Sequence, residues 1–200
     1  LVISNLAHIE LAKRLDISEL RGNFTLNITN SFGALFLQKN NVKGLCTSPE
    51  LNISQIKDLR RDTDIPMEAV VYGYLPAMIT EYCPSSEVKS CSTCIEGCGR
   101  EYALIDEKNK MFKLVQMGKG KNIILNSDIL CVYDNLSTIA ESGIARFRLD
   151  FYDEEETMIF DITKAFKDKL SNIKSNTFST AIEQVKEKGY TKGHYFRGIE

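Results

Sequence analysis

Residues 1–80 alternate between a helix period and a strand period, and this alternation limits the possible folds more than any other feature of the chain. Ser4 to Leu15 places Leu6, Ile9, Leu11 and Leu15 at helical spacing, so the chain opens inside what reads as a helix, as a piece of a longer protein would. Phe24-Thr-Leu-Asn-Ile28 alternates as a strand. Ser31 is placed to cap a helix burying Phe32, Leu35 and Phe36. After an Asn40-Asn41 turn, Val42 to Cys46 reads as a strand. Asn52 and Gln55 form a capping-box pair ahead of Ile53, Ile56 and Leu59, and Met67 to Tyr72 is an apolar strand ended by Gly73. Strands and helices joined by short connections predict βα units and a parallel sheet.

The rhythm breaks at Cys83. Residues 84–100 have loop composition, and Tyr102–Ile105 with Met111–Val115 reads as a hairpin around Lys108-Asn109-Lys110. The βα pattern then resumes. Asn135 is placed to cap a helix that stops at Gly143, Ile144 to Phe151 alternates as a strand, and amphipathic helices follow at about 158–170 and 178–188. The expected organisation is βα units over 1–82, a cysteine-rich insertion over 83–131, and a final βα unit with C-terminal helices over 132–200. Four parallel strands (24–28, 42–46, 67–72 and 145–150) are either half of an eight-stranded βα barrel or a smaller open sheet.

Five of the six cysteines, Cys83, Cys91, Cys94, Cys98 and Cys131, fall in or beside that insertion. Thiolates gathered in this way suit zinc or an iron–sulfur cluster. The spacing Cys83-x10-Cys94-x3-Cys98-x32-Cys131, with Cys91 in reserve, is uneven and leans toward a [4Fe–4S] cluster over a zinc knuckle. Zinc stays open, as does a buried, purely hydrophobic role for Cys131 in Ile129-Leu-Cys-Val132. Cys46 reads as core. A net charge of −2 exerts no global pull toward nucleic acid, and no apolar run reaches the roughly 18 residues of a membrane span. No export signal is visible, so the expected compartment is the cytoplasm.

If the strands belong to a barrel, site residues gather at their C-terminal ends. That selects Asn27 and Asn30, Glu50, Tyr72, and Arg148 with Asp150. Glu50 also suits the first turn of a helix. Arg148 and Asp150 share a strand face and are placed to pair with each other. Lys108, Lys110, Lys113, Lys119 and Lys121 form a basic run that suits either a solvated hairpin or RNA phosphates. His194 and Arg197, in an aromatic tail, suit either a phosphate or simple packing. Asp153 to Glu156 reads as the capping turn of a helix.

Several segments together carry a family resemblance. Glu68-Ala-Val-Val-Tyr-Gly73 is followed by Met78-Ile-Thr-Glu-Tyr-Cys83-Pro-Ser85, and Ser48-Pro-Glu50, Cys94-x3-Cys98-Gly-Arg-Glu-Tyr102, Leu125-Asn-Ser127 and Gly193-His-Tyr-Phe-Arg-Gly198 add to it. They resemble the collagenase-like peptidases of unknown catalytic type, the "U-thirty-two" peptidase family. Pro76 stands where that pattern has a first cysteine and Glu81 where it has a glycine. The resemblance implies the C-terminal half of a TIM-like barrel with a cysteine-bearing insertion. It also implies a [4Fe–4S] cluster on Cys83, Cys94, Cys98 and Cys131, with Cys91 as substitute, and hydroxylation of tRNA, rRNA or a small aromatic. Implied partners are RNA and a paralogous subunit, with no membrane. True peptidase action and a zinc-stapled binding module are the alternatives; the chain has no His-Glu-x-x-His motif to support proteolysis.

Overall fold

The structure, a computed structural model, describes residues 1–83, 102–118, 120–171 and 179–197. They form two compact units, one of residues 1–73 with 130–200 and one of residues 74–129.

The larger unit is a mixed α/β layer. Its strands are β1 (Val2–Ile3), β2 (Leu20–Gly22), β3 (Val42–Cys46), β4 (Met67–Gly73), β9 (Ile129–Cys131), β10 (Ile144–Leu149) and β11 (Tyr190–Thr191). Five of them run parallel, in the spatial order β1-β2-β3-β4-β10, and β9 pairs antiparallel with the end of β4. Described helices are α1 (Ala7–Arg14), α2 (Ser31–Lys39), α3 (Ile53–Asp62), α4 (Leu136–Ala140), α5 (Glu156–Leu170) and α6 (Ser179–Glu187). Among the described residues there is no closed barrel.

Order in the sheet advances in one direction with the sequence. Right-handed crossovers therefore bring the connecting helices to one face. Leu37 of α2 marks that face, lying beside Gly22 and Leu45 in the space where a Gly22 side chain would project. Arg21, Gly44, Cys46, Glu68, Arg146 and Arg148 alternate onto the other face. This second face is concave. Arg148 on β10 donates to Asn23 Oδ1, just past β2, at 2.8 Å. In a flat sheet those strands would stand roughly 14 Å apart, three spacings of ~4.8 Å, which the two side chains and their hydrogen bond would bridge only if both were fully extended toward each other.

Local chemistry explains most element ends. The Asn52–Gln55 capping box forms as expected. Asn30, one residue before the expected Ser31, caps α2 by accepting from Gly33 N at 2.9 Å. The expected strand over 24–28 is corrected: Asn23 Oδ1 accepts from Phe24 N and turns residues 24–26 into a short 3-10 helix, so the strand lies earlier, at 20–22. The N-terminal reading is corrected too, since Val2–Ile3 is a strand parallel to β2 and helix α1 begins only at Ala7.

One irregularity reshapes β4. Pro66 O and Glu68 O accept from Leu45 N and Thr47 N, both at 2.9 Å. A register shift follows, in which Arg148 faces Val70 but Leu149 faces Tyr72, leaving Val71 as a bulge. Val70 O takes its hydrogen bond from the Tyr195 hydroxyl at 2.8 Å, and Val71 O takes one from Val132 N at 3.1 Å. Tyr195 is 1% exposed, so this aromatic from the C-terminal tail fills a gap in the ladder that no backbone amide fills.

The smaller unit is a four-stranded antiparallel sheet in the order β5-β8-β7-β6, made of β5 (Pro76–Thr80), β6 (Tyr102–Ile105), β7 (Met111–Gly118) and β8 (Lys121–Leu125). The expected hairpin joins β6 and β7. Asp106 Oδ1 accepts from Lys108 N and Lys110 N at 2.8 Å, and Asn109 takes a left-handed φ of 59°. Tyr82 O accepts from Asn122 Nδ2 at 3.2 Å, which fixes the chain just ahead of Cys83.

Candidate functional site

The concave face brings charged groups together along the central strands, from Glu68 near the start of β4 to Arg148 near the end of β10. β10 presents Arg146 and Arg148, β4 presents Glu68, and β3 presents Cys46 across from Glu68. Arg148 is the anchor. Its Nε donates to Asp150 Oδ1 at 2.6 Å, its Nη1 donates to Asn23, and its guanidinium lies 5.5 Å from the centre of the Phe24 ring. The expected pairing of Arg148 with Asp150 is therefore present. Burial works against the Arg148 charge, but the hydrogen bond and charge of Asp150 outweigh it and hold the guanidinium above its ordinary pKa. Gly73 makes the fit with Asp150 possible. At its φ of 125° an added Cβ would meet the Asp150 carbonyl oxygen at once.

Cys46 is 3% exposed, and burial first, then the charge and hydrogen bond of Glu68, push its thiol up to about 12. It stays protonated beside the Glu68 carboxylate. Such a thiol is a poor nucleophile.

The remaining sequence candidates divide by position. Tyr72 is 1% exposed and, beyond the bulge, points to the helix side. Its ring lies 5.2 Å from Phe151 and 6.3 Å from Phe166, and its hydroxyl donates to Glu154 Oε1 at 3.0 Å. Glu154 Oε2 also accepts from Tyr152 N and Asp153 N, which forms a turn ahead of α5, but the capping expected of this acidic run is corrected: the N-cap Glu155 makes no side-chain cap hydrogen bond. Glu50 is exposed and lies ahead of the Asn52 cap, outside the first helical turn expected for it. Asn27 takes the left-handed turn after the 3-10 helix, and Asn30 is spent as a cap. In the tail, Tyr195 O accepts from Ile53 N at 3.0 Å, so this segment packs onto α3, with Arg197 at the rim of a groove of about 380 Å³ there. Of the basic run, Lys110 pairs with Asp128 at 2.7 Å, Lys121 pairs with Glu81 at 2.9 Å, and Lys113 lies 5.0 Å from the Tyr74 ring centre. Lys119 lies outside the described residues.

Cys91, Cys94 and Cys98 also lie outside the described residues. Among the described residues, no three His, Cys, Asp or Glu side chains gather as a metal site. Cys131 is 2% exposed within the β4–β9 pairing, and burial raises its thiol against a backbone hydrogen bond from Tyr133. That setting suits the core reading of Cys131. Cys83 is only partly buried.

With this geometry in hand, comparison with family models is decisive. The model of Peptidase family U32 matches residues 1–199. The chain belongs to this family. No curated protein and no solved structure matches it. For this U32 chain no helix among the described residues is long and apolar enough to cross a membrane. The concave face also holds U32 residues that sequence reasoning passed over. Arg21, Asn23, Gly44 and Arg146 show no motif, and only a prediction of the sheet's curl would have brought them together.

Proposed function

We propose that this U32 chain supplies the substrate-facing wall of a βα half-barrel, whose charged face binds and orients substrate for hydroxylation of an RNA base or a small aromatic. The concave polar face carries the reading, because a sheet curled around charged groups needs an opposing wall, as the interior of a barrel provides. Arg148, fixed by Asp150 and Asn23, offers its remaining donor edge to a polar substrate group. Cys46, kept protonated beside Glu68, serves as a neutral hydrogen-bond partner. Among the described residues, no histidine stands on this face to activate a nucleophile, which weighs against peptide hydrolysis.

Cys83, Cys91, Cys94 and Cys98, close together in sequence, would hold the [4Fe–4S] cluster, with Cys131 as the alternative fourth ligand. When bound, such a cluster supplies one-electron transfer. Anaerobic purification tests the reading. About four irons per chain with broad visible absorption is expected, and Cys91→Ala should lower the iron content while Cys131→Ala leaves it intact. Colourless protein with one zinc would instead establish a stapled binding module. Steady cleavage of casein or denatured collagen would restore the peptidase reading.

A further inference from the structure

Arg21 on β2 and Arg146 on β10 reach toward the same point from strands separated by β3 and β4. A Cβ built on Gly44 would lie 2.7 Å from Arg21 Nη1 and 3.7 Å from Arg146 Nη1. Among the described residues neither guanidinium has a carboxylate partner. Arg148 is held by Asp150, and Glu68, which stands opposite Arg146 in the strand register, makes no ion pair with it. Two arginine charges therefore converge over a glycine with no anion between them. Like charges at such range repel, and partial burial of Arg21 weakens the screening that water would provide.

We infer that Arg21 and Arg146 form, above Gly44, a binding site for a phosphate group of the substrate. Charge and geometry favour phosphate over carboxylate. A single guanidinium satisfies a carboxylate, as Arg148 does for Asp150, whereas two forks from different strands suit the several oxygens and higher charge of a phosphate. Gly44 supplies the space, since any side chain there would occupy the notch. This inference rests on the reading of the concave face as substrate-facing, and it gives that substrate a phosphorylated character.

The test uses the whole chain and needs no cluster, so its failure is distinct from failure of the hydroxylation reading. Inorganic phosphate, uridine 5′-monophosphate and a uridylyl dinucleotide are each titrated while the arginine Nε–H signals are followed by NMR, with acetate as the comparison anion. Phosphate should shift the Arg21 and Arg146 signals together. Arg21→Gln and Arg146→Gln should each weaken binding roughly tenfold to a hundredfold. Gly44→Ala should weaken it while keeping both charges. Arg21→Lys, which retains charge but not the fork, should fall between wild type and Arg21→Gln. Tighter binding of the dinucleotide than of the mononucleotide assigns the phosphate to an RNA backbone, and equal binding assigns it to a small phosphorylated substrate. The inference is overturned if acetate binds as tightly as phosphate, or if Lys188→Gln, which removes an exposed charge elsewhere, weakens binding as much as the arginine variants do. Urea midpoints within error of wild type confirm that each variant is folded.

Discussion

Replacing Tyr195 with phenylalanine removes one oxygen atom and leaves the ring in place. That oxygen makes a 2.8 Å hydrogen bond to Val70 O, and both residues are 1% exposed. On the side of β4 where Val70 O points, β3 has ended at Cys46 and the next position in the ladder, Pro49, has no N–H, so the variant strands a buried carbonyl with no access to bulk water. Stranding such a group costs about 1–3 kcal/mol. With a urea slope of roughly 2 kcal/mol per molar for a chain of this size, the midpoint should fall by about 0.5–1.5 M. The slope itself should not change, because the surface exposed on unfolding is the same. Equilibrium urea unfolding followed by circular dichroism reads both quantities. A midpoint within about 0.2 M of wild type, at an unchanged slope, would refute the claim that the hydroxyl completes the ladder.

Three further outcomes follow from the same geometry. Gly73→Ala places a Cβ against the Asp150 carbonyl at a φ of 125°, and thermal melting should show a Tm lower by roughly 6–12 °C. An unchanged Tm would mean that β4 and the 150 region are not so close. Native Cys46 should resist alkylation by iodoacetamide at pH 8. Its thiol is held up to about 12 from an ordinary value of 9.0, so the fold keeps its proton where the unfolded chain loses it. That contribution to stability is complete below pH 9.0 and is lost progressively as pH rises toward 12; wild type should therefore lose stability over that window faster than Cys46→Ala. For the Arg148–Asp150 pair, a double-mutant cycle with Arg148→Gln and Asp150→Asn should give a coupling of about 1–3 kcal/mol, and a value near zero would reduce the pair to a surface contact.

What could be read from the sequence was local. Val42–Cys46, the Asn52–Gln55 box and the turn at Asn109 each depend on residues within a few positions of one another, and each was legible. Arg148 and Asp150 were legible because strand periodicity alone puts them on one face. Phe24 to Ile28 misled because its alternation is better than that of Leu20-Arg-Gly22, while the cap from Asn23 decided the outcome. Tyr72 followed the strand pattern correctly until a single extra residue at Val71 turned its side chain to the other face, which no period reveals. Arg21, Asn23 and Arg146 were invisible for a different reason. Their meeting depends on the curl of the whole sheet, a property of the assembled strands and not of any window of sequence.

The bond from Arg148 to Asn23 spans 125 residues. No stretch of this polypeptide shorter than that can assemble the charged hollow, so early folding intermediates built from local βα units lack it entirely. A ligand bound in the hollow would therefore engage only chains that have finished folding, and by mass action it would raise the unfolding free energy with the logarithm of its concentration. Nascent and damaged copies would be left unprotected, and proteases would clear them while substrate-loaded molecules persist.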